Sequence, residues 1–459
     1  MKNHISIAIL ALTTLSCITA CKEEFLEVKQ NQSLVIPATI ADYQGLMDNK
    51  TIMNNNACSE LAIIGSDEYS VSDAVWAALP NPYQKNGYIW AKDVYEGNAL
   101  EEWNNAYWRI LYANTAADGA ANIKPAAAQQ AEYNNLKGSA MFHRAFNFYQ
   151  LAQVFCKPYN VATAPSDPGI PIRLEADINL PSKRGTVAQT YGQIIKDLTT
   201  AAELLPQPAL FKSRPSKAAA YAMLAKTFLM MGDYGKAADY ASQSLSLHST
   251  LNDLNTFNLS NRFTFPTDAE LNPEILFATG ISGIAILTVT RINIPASLVN
   301  SYQSTDLRKQ AYFFNNTDGR ILPKGSYKGA TTCFTGLATD EVWLILAESL
   351  ARTGQVPKAM ETLNTLRKTR YNKTGYADLI TTDATTALNH ILTERKKELL
   401  LRGTRWEDLR RLNKEPDYAT TLTRIVNGTT YTLPPNDSRY TWPIPDNEIA
   451  LSNFQQNPR

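Results

Sequence analysis

The stretch from Ala219 to Leu247 repeats its apolar residues with the period of an amphipathic helix, interrupted once at Gly232-Asp233-Tyr234. The apolar residues that recur are Tyr221, Leu224, Ala225 and Phe228 before the turn, and Ala237, Ala241 and Leu245 after it. This spacing places each set on one face of a helix. The small side chains of Ala225 and Ala237 let two such helices approach closely, so the stretch predicts a packed helix pair.

This helix pair resembles a tetratricopeptide repeat, which has a tyrosine in its first helix, Gly-x-Tyr at the turn and an alanine three residues later. A second, weaker match runs from Asp340 to about Lys368, where Val356 replaces the turn tyrosine. Such pairs cannot bury their apolar faces alone, so we expect them to stack. The predicted fold is mainly α, a tetratricopeptide-like helical-repeat scaffold with long irregular loops that form the ligand face.

The predicted organisation is a signal peptide over residues 1–20 and a single domain over residues 21–459. Repeat-like helix pairs are expected at about 102–154, 186–247 and 340–412, loop-rich insertions at about 48–98 and 249–335, and a C-terminal segment at 413–459. The sequence Thr186-Val187-Ala188-Gln189 has the form of a capping box, which predicts a helix start. Pro206 ends that helix. Because the long loops are rich in aromatic residues, we expect them to be ordered and functional.

The first twenty residues have the layout of a secretory signal, with Lys2 near the start, an apolar stretch after it and small residues at its end. The stretch is too short to span a bilayer. The sequence Ile18-Thr19-Ala20-Cys21 resembles the lipobox of bacterial lipoproteins, so Cys21 is the predicted lipidation site. The acidic residues after Cys21 resemble the export signal of surface-exposed lipoproteins in Bacteroidota, which predicts a lipid-anchored protein of the outer membrane. The alternatives are a plain cleaved signal and lipidation at Cys17.

Charge argues against one class of partner. The chain has 44 Lys+Arg and 43 Asp+Glu residues, and removal of the signal takes away one basic residue, Lys2. The remaining protein is balanced and has no basic tail, so we expect no nucleic-acid partner. No second apolar stretch is long enough to predict a membrane span. The remaining cysteines, Cys58, Cys156 and Cys333, are widely spaced, which favours buried free thiols over a disulfide framework or a metal site.

Aromatic residues are interleaved with polar ones between Ser72 and Trp90. The candidate ligand-binding residues there are Trp76, Tyr83, Asn86, Tyr88 and Trp90. Sugar rings have an apolar face that stacks on aromatic rings and hydroxyls that need polar partners, so this composition predicts carbohydrate binding. The alternative is that the rings pack on the helical core, as we expect of Trp103, Tyr107 and Trp108 at helical spacing. A second candidate segment, 285–335, offers Arg291, Asn293, Tyr312, Asn315 and Tyr327.

No catalytic residue is predicted. Glu394 and Glu398 lie one helical turn apart, where paired carboxylates can perform acid–base chemistry. The nearby Arg395, Arg402 and Arg405 would keep both carboxylates ionised, so we favour a charge-paired helix. The four histidines are isolated, and motifs for zinc, nucleotide or serine-nucleophile chemistry are absent from the sequence. We therefore expect no metal and no cofactor. The oxygen-rich run at 315–319 lacks the spacing of a calcium loop and predicts a turn.

A set of motifs recurs in order along most of the chain. The most specific are Glu394-Arg395-Lys396-Lys397-Glu398-Leu399 and Arg402-Gly403-Thr404-Arg405-Trp406-Glu407-Asp408-Leu409. The others include Arg144-Ala145-Phe146-Asn147-Phe148-Tyr149-Gln150-Leu151, Pro171-Ile172-Arg173, Arg184-Gly185-Thr186-Val187, Ser301-Tyr302 and Trp442-Pro443-Ile444-Pro445. Together they resemble the SusD/RagB family of outer-membrane lipoproteins. Two departures are Arg402, where the family usually has glutamate, and Cys156, where it often has glycine.

This resemblance implies a surface-exposed, nutrient-binding lipoprotein that works with a SusC-like TonB-dependent outer-membrane transporter. We expect the ligand to be an oligosaccharide, in keeping with polysaccharide utilisation, and we expect no enzymatic step. The acyl anchor at Cys21 would tether the protein to the outer membrane. The alternatives are peptide capture as in the RagB branch, a glycoside hydrolase that uses Glu394 and Glu398, and a helical scaffold without a small ligand.

Overall fold

Helices dominate the computed structural model, which describes residues 36–57 and 60–459 of the chain. These ranges contain 17 α-helices and 12 short β-strands, and the strands form six two-stranded antiparallel sheets. Residues 40–459 form one compact unit. The signal segment, Cys21 and Cys58 lie outside the described residues, so what the sequence predicts for them stays a prediction.

The helices are α1 (Ile40–Met47), α2 (Lys50–Met53), α3 (Glu60–Gly65), α4 (Asp73–Ala77), α5 (Pro82–Tyr88), α6 (Glu101–Ala121), α7 (Gln130–Phe155), α8 (Val187–Leu204), α9 (Lys217–Met231), α10 (Tyr234–Leu247), α11 (Ala296–Val299), α12 (Arg308–Tyr312), α13 (Thr339–Arg352), α14 (Val356–Arg370), α15 (Ala384–Glu398), α16 (Thr404–Leu412) and α17 (Asp446–Ser452). The strands are β1 (Ser70–Val71), β2 (Pro168–Pro171), β3 (Arg184–Thr186), β4 (Ile275–Phe277), β5 (Gly280–Ile281), β6 (Ile292–Asn293), β7 (Phe313–Asn315), β8 (Ile321–Pro323), β9 (Cys333–Phe334), β10 (Leu337–Ala338), β11 (Leu422–Val426) and β12 (Thr429–Leu433).

The scaffold is a row of long helices, α6 to α10 followed by α13 and α14, in which each helix packs against the next. The pair α9 and α10 shows how the sequence permits this, because Ala225 and Ala237 are fully buried where the helices meet. Gly232 takes a left-handed φ of 79° that ends α9. Asp233 then caps α10, since its Oδ1 accepts a hydrogen bond from Lys236 N at 3.1 Å. The predicted mainly-α, tetratricopeptide-like fold is confirmed.

Helix α8 begins at the predicted capping box. Thr186 Oγ1 accepts a hydrogen bond from Gln189 N at 3.1 Å, and Gln189 Oε1 accepts one from Thr186 N at 2.9 Å. This reciprocal pair satisfies amide groups that a helix start otherwise leaves without partners. The helix ends at Leu204, shortly before Pro206.

The C-terminal segment packs back onto the scaffold. Trp442 is buried against Trp406 of α16, with ring centroids 5.4 Å apart. Its backbone N donates a hydrogen bond to Val154 O of α7 at 3.0 Å. Asn457 Nδ2 donates to Phe155 O at 2.8 Å, which holds the last residues to the same helix. The end of the chain is therefore part of the core.

The two predicted insertions contain more regular structure than expected. Residues 48–98 include four short helices, α2 to α5, and residues 249–335 include short strands and two further short helices. Helices of four to seven residues are too short to show a helical period. Local capping defines them instead: Ser72 Oγ accepts a hydrogen bond from Val75 N at 3.3 Å. Pro82 lies in the first turn of α5, a position where its missing N–H costs nothing.

Cys156 is buried and Cys333 half-buried, and both are free thiols, as the spacing of the cysteines predicts. Burial raises the pKa of each thiol to about 12. Among the helices that the structure describes, none combines the length and the apolar character needed to cross a membrane.

Candidate functional site

The two aromatic segments predicted to bind ligand meet at one surface. Strand β1, directly before the first segment, pairs with β6 of the second, with Ser70 opposite Asn293 and Val71 opposite Ile292. Gln84 of α5 adds a further link, since its Oε1 accepts a hydrogen bond from Ile286 N at 3.0 Å. An apolar cluster to which both segments contribute lies beneath them. We call the surface formed by residues 72–86 and 282–293 the paired-segment face.

Two of the predicted ligand-binding rings lie in the core rather than on this face. Trp90 is 1 % exposed, and its Nε1 donates a hydrogen bond to Gly65 O at 3.0 Å. Tyr88 is also buried, and its hydroxyl accepts a hydrogen bond from Val71 N at 3.1 Å. The Arg424 guanidinium lies 4.7 Å from the ring centroid of Trp90 and 3.8 Å from that of Tyr88. Because protein atoms cover both rings, the prediction of ligand contact is wrong for Tyr88 and Trp90.

Trp76 and Asn86 lie at the surface of the paired-segment face, each half-buried. Trp76 Nε1 donates a hydrogen bond to Lys85 O at 2.9 Å, and the Lys85 ammonium lies 5.1 Å from the centroid of the indole. Asn86 Nδ2 donates to Glu96 Oε1 at 2.8 Å. These contacts fix the orientation of the indole and of the amide while part of each side chain stays accessible. Their ligand-binding role stays a prediction.

Tyr83 is half-buried and is held by a carboxyl group below it. Its hydroxyl donates a hydrogen bond to Glu60 Oε2 at 3.0 Å and accepts one from Gln84 Nε2 at 3.0 Å. Burial, and after it the neighbouring carboxylate of Glu102, raises the pKa of Glu60 to about 8. The Glu60 carboxyl group is therefore mostly protonated at neutral pH. The Tyr83 hydroxyl is thus occupied by hydrogen bonds inside the protein, and the ligand-binding role of this residue stays a prediction.

The second segment contributes polar groups to the surface and aromatic groups to the interior. Arg291 is exposed, and its Nη1 donates a hydrogen bond to Ala285 O at 3.2 Å. Asn293 is tied to the β7–β8 hairpin, because its Oδ1 accepts from Ile321 N at 2.9 Å. The predicted turn at 315–319 connects the strands of that hairpin, with Gly319 at a φ of 83° and Asp318 paired with Arg320 at 2.7 Å.

A partly open cavity of about 50 Å³ lies between the second segment and residues 398–402. Tyr312 and Tyr327 both line it, so neither of these two candidate rings points fully to the surface. The Arg402 guanidinium lies 5.0 Å from the ring centroids of both Tyr327 and Phe334. A cavity of this size holds one or a few water molecules, whereas small-molecule pockets span about 300–1,000 Å³. The cavity is too small for a sugar ring.

The carboxylate pair that suggested hydrolysis is buried among cations. Arg308 contacts both Glu394 and Glu398, with its Nη1 2.9 Å from Glu398 Oε2. Arg370 Nε donates to Glu398 Oε1 at 2.7 Å. Burial alone would raise the pKa of Glu394, but the charges of Arg308 and Lys397 outweigh it and hold that pKa at about 2. The pKa of Glu398 is likewise lowered, by Arg370 and Arg308 against the effect of burial.

The structure confirms the predicted charge pairing of Glu394 and Glu398, but the paired cations are not the expected arginines. The arginines near the pair in sequence neutralise other acids: Arg395 lies 2.8 Å from Asp408, Arg402 2.5 Å from Asp340 and Arg405 2.6 Å from Asp67. Two ionised, buried carboxylates offer neither the raised pKa of a general acid nor access for a substrate. Within the described ranges, no group of three or more His, Cys, Asp or Glu side chains is placed to hold a metal ion.

Helix α6 carries one aromatic residue, Trp108, for which the prediction of a core position is wrong. Trp103 is buried and Tyr107 half-buried, but Trp108 is 56 % exposed. The spacing of the three residues along the helix could have predicted this difference. Trp103 and Tyr107 are four residues apart and share a helix face, whereas Trp108 is rotated by about 140° from Trp103.

Comparison with known proteins identifies relatives of both halves of the chain. A family model described as "Starch-binding associating with outer membrane" matches residues 24–229, and one described as "SusD family" matches residues 337–459. SusD-like protein P2 of Formosa agariphila is 34 % identical over 139 residues, which are 30 % of this chain and 25 % of that protein. The match therefore spans a quarter of the length of that relative.

Solved structures share the fold over nearly the whole chain. A SusD superfamily protein of Bacteroides thetaiotaomicron VPI-5482 superposes with a TM-score of 0.74 at 20 % identity, covering 92 % of this chain and 100 % of that one. A SusD-like carbohydrate binding protein of Bacteroides vulgatus ATCC 8482 gives a TM-score of 0.67 at 18 % identity, covering 91 % and 97 %. At these identities the likeness shows a common fold.

Proposed function

This chain belongs to the SusD/RagB family, and from that premise we propose that it captures oligosaccharides at the cell surface and passes them to a SusC-like TonB-dependent transporter. Two observations support a carbohydrate ligand. One family model carries a description that names starch binding and the outer membrane. One structural relative is named as a carbohydrate binding protein.

The pairing of β1 with β6 is the observation that carries the proposal, because it brings both candidate segments to one surface. Trp76 offers part of an indole whose orientation is fixed by Lys85. Exposed or half-buried polar side chains lie in the same two segments, among them Asn81, Lys85, Asn86 and Arg291. An apolar ring with planar polar groups nearby suits a pyranose. A ring that is already oriented loses little conformational entropy when the ligand binds.

We propose that binding proceeds without chemistry. The ionised, buried state of Glu394 and Glu398 supports this, since hydrolysis requires one carboxyl group to donate a proton to the leaving group. Incubation of the protein with a glycan that it binds, followed by an assay for new reducing ends, tests the claim. If wild type produced new reducing ends and Glu398→Gln did not, the proposal of binding without hydrolysis would be contradicted.

We propose that Cys21 supplies the membrane anchor. A single acyl chain binds membranes only marginally and a second makes anchoring stable, so a multiply acylated cysteine would retain the protein without a membrane-spanning helix. Cys21→Ser is expected to release the protein from cells while ligand binding in solution is unchanged. Cys17→Ser, a change at the other candidate cysteine of the signal segment, is the matched control and should leave retention intact. Retention lost with Cys17→Ser and kept with Cys21→Ser would reassign the anchor.

Calorimetry with a glycan panel and a peptide panel tests the ligand class. We expect heat with neutral oligosaccharides and none with peptides. Trp76→Ala should weaken glycan binding about tenfold, the size expected for the loss of one aromatic stacking contact. Phe211→Ala removes an exposed ring elsewhere on the protein and should leave binding unchanged. If only peptides gave heat, the ligand would be a peptide, as in the RagB alternative, and not an oligosaccharide.

A further inference from the structure

We propose a second carbohydrate-binding site centred on Trp108 of helix α6, which takes a neutral pyranose unit of the same glycan. The inference rests on the proposed function for the identity of the ligand, but its residues lie outside the paired-segment face. All seven tryptophans of the chain are in the described ranges, and Trp108 is the only one of them that is exposed.

Trp108 separates two grooves on the surface of α6. One groove, of about 440 Å³, lies between α6 and the turn at residues 51–56, and we call it the amide groove. The other, of about 360 Å³, lies between α6, the loop at 171–182 and the C-terminal segment. Trp108 lines both grooves. Each volume is within the range of small-ligand sites, so an indole is presented next to concave surface and not on a flat one.

The amide groove is lined by groups suited to sugar hydroxyls. Asn55 and Asn105 contribute side-chain amides, and Tyr112 contributes a phenol one helical turn after Trp108. Among the described residues, none of these three side chains has a hydrogen-bond partner, and neither does the indole N–H of Trp108. An amide can donate and accept hydrogen bonds at once, which matches the double role of a hydroxyl. Aromatic rings with planar amides beside them therefore favour a carbohydrate over an apolar ligand.

The Arg109 guanidinium is engaged inside the protein, where it holds the wall of the amide groove. Arg109, the one charged residue among the described residues that line the groove, is buried and uses its guanidinium internally. Its Nε donates to Ile52 O at 2.8 Å and its Nη2 donates to Asn55 O at 3.1 Å, which holds the 51–56 turn against α6. None of the described residues that line this groove carries a carboxylate. A neutral sugar fits such a lining better than a uronic acid or a peptide terminus, each of which would need an available counter-charge.

The same turn links the groove to the paired-segment face. Asn56 N donates to Gly280 O at 2.7 Å, and Asn56 Oδ1 accepts from Ser282 N at 2.9 Å. Ser282 is the first residue of the second half of that face. Two glycan sites held by one rigid backbone bind a polymer more tightly than either alone, because the second contact is intramolecular. The site at Trp108 would therefore matter more for long glycans than for short ones.

The second groove also suits a protein partner, and the experiment has to distinguish such a partner from a glycan. Ile178 lines it and is 74 % exposed, and Leu180 in the same loop is also exposed. An apolar rim of this kind also suits a protein partner. A protein bound there would cover Trp108 without any contribution from a sugar.

The test measures binding of Trp108→Ala, Asn105→Ala, Trp76→Ala and Phe211→Ala to neutral oligosaccharides and polysaccharides. The probes are maltoheptaose, xylohexaose, laminarihexaose and mannohexaose in calorimetry, with starch, xylan, laminarin and mannan in affinity gels. For the glycan that wild type binds, we expect Trp108→Ala to weaken capture of the polysaccharide about tenfold. Asn105→Ala should weaken it less, and Phe211→Ala should leave it unchanged. The shortest oligosaccharide that binds should be affected least by Trp108→Ala.

Acrylamide quenching of tryptophan fluorescence reports occupancy directly, since Trp108 is the most exposed indole. Glycan should protect the quenchable emission in wild type and in Trp76→Ala, whereas Trp108→Ala should keep only the smaller protection that a glycan bound at Trp76 gives. Glycan binding that depends on Trp76 alone, with no protection of Trp108, would overturn the second site and leave the proposed function standing. No binding to any probe would overturn both. Unchanged glycan capture by Trp108→Ala, with loss of a protein that co-purifies from outer membranes, would overturn the second site and make this surface a protein interface.

Discussion

Trp90 and Trp108 lie close together in the chain, but the fold buries the first and leaves the second exposed. Trp90 is 1 % exposed, with its indole N–H bonded to Gly65 O and the Arg424 guanidinium over its ring. Trp108 is 56 % exposed, and its indole N–H has no partner among the described residues. The first ring therefore contributes to stability, and the second has its apolar surface available for a ligand.

The difference comes from what other parts of the chain supply. Trp90 lies two residues after the end of α5 and has a φ of 53°, an unusual value for a tryptophan, which packing around the ring must maintain. Arg424 comes from the β11–β12 hairpin near the end of the chain. Trp108 occupies a regular position on the outer side of α6, where no later segment covers it. An aromatic residue in a loop can thus be core, and one on a helix can be surface.

The largest expected effect that separates the two rings is on stability. Trp90→Ala should lower the free energy of unfolding by about 3–5 kcal/mol, because it removes a fully buried indole and leaves a cavity. Trp108→Ala should change it by less than about 0.5 kcal/mol, as expected at an exposed position. Urea unfolding followed by circular dichroism measures both. Equal losses for the two variants would mean that Trp108 is packed in solution and would remove the basis for a ligand site there.

Arg424 covers one side of the Trp90 ring and so contributes to its burial. Its guanidinium donates to the carbonyl groups of Ser66 and Tyr88 and lies over the Tyr88 and Trp90 rings. Arg424→Met keeps much of the side-chain volume but leaves those carbonyl groups without donors. We expect a loss of about 1–3 kcal/mol in the free energy of unfolding.

Arg320→Met is the matched control for Arg424→Met. Arg320 pairs with Asp318 at 2.7 Å near the surface, so its loss should cost at most about 1 kcal/mol. The same urea titration applies to both variants. A larger loss for Arg320→Met than for Arg424→Met would show that the rings around Trp90 hold together without the arginine.

Local signals in the sequence predicted the scaffold well. The helix pair α9–α10 and the start of α8 depend on neighbours within a few residues, such as Gly232 and Thr186, which the sequence displays directly. The sequence also carries a signal for the β11–β12 hairpin, since Asn427-Gly428 between alternating residues is typical of a two-residue hairpin turn. Periodicity could not reveal α2 to α5, because these helices are shorter than two full turns.

The roles of individual side chains depended on contacts between distant segments. The carboxylates of Glu394 and Glu398 were correctly expected to be paired, but Arg308 and Arg370, which pair with them, are remote from them in sequence. The ligand role of Trp90 failed for the same reason, since Gly65 and Arg424 cover it. Burial of a particular ring or charge is a property of the assembled fold, and composition alone does not determine it.

A pH-dependent effect is expected at Tyr83, which is intermediate in burial between the two tryptophans and donates its hydroxyl hydrogen bond to Glu60. The pKa of Glu60 is raised from an ordinary value of 4.5 to about 8 in the folded protein, by burial first and the Glu102 carboxylate second. Below pH 4.5 Glu60 is protonated in both states. Between pH 4.5 and 8 the unfolded chain releases this proton while the folded protein keeps it, so this group makes stability fall as pH rises.

Glu60→Gln replaces the protonated carboxyl group with a neutral amide and should remove that part of the pH dependence. The stability of the variant relative to wild type should therefore increase from pH 4.5 to pH 8, measured by urea unfolding across this range. Tyr83→Phe provides a matched test, because the hydrogen bond from Tyr83 lowers the pKa of Glu60. Without that bond the pKa of Glu60 should rise further, so stability should continue to fall up to a higher pH. A Glu60→Gln variant whose stability stays parallel to wild type across the whole range would mean that Glu60 is ionised in the fold. The hydroxyl of Tyr83 would then donate to a charged carboxylate, and the edge of the paired-segment face would carry a negative charge that a neutral glycan has to accommodate.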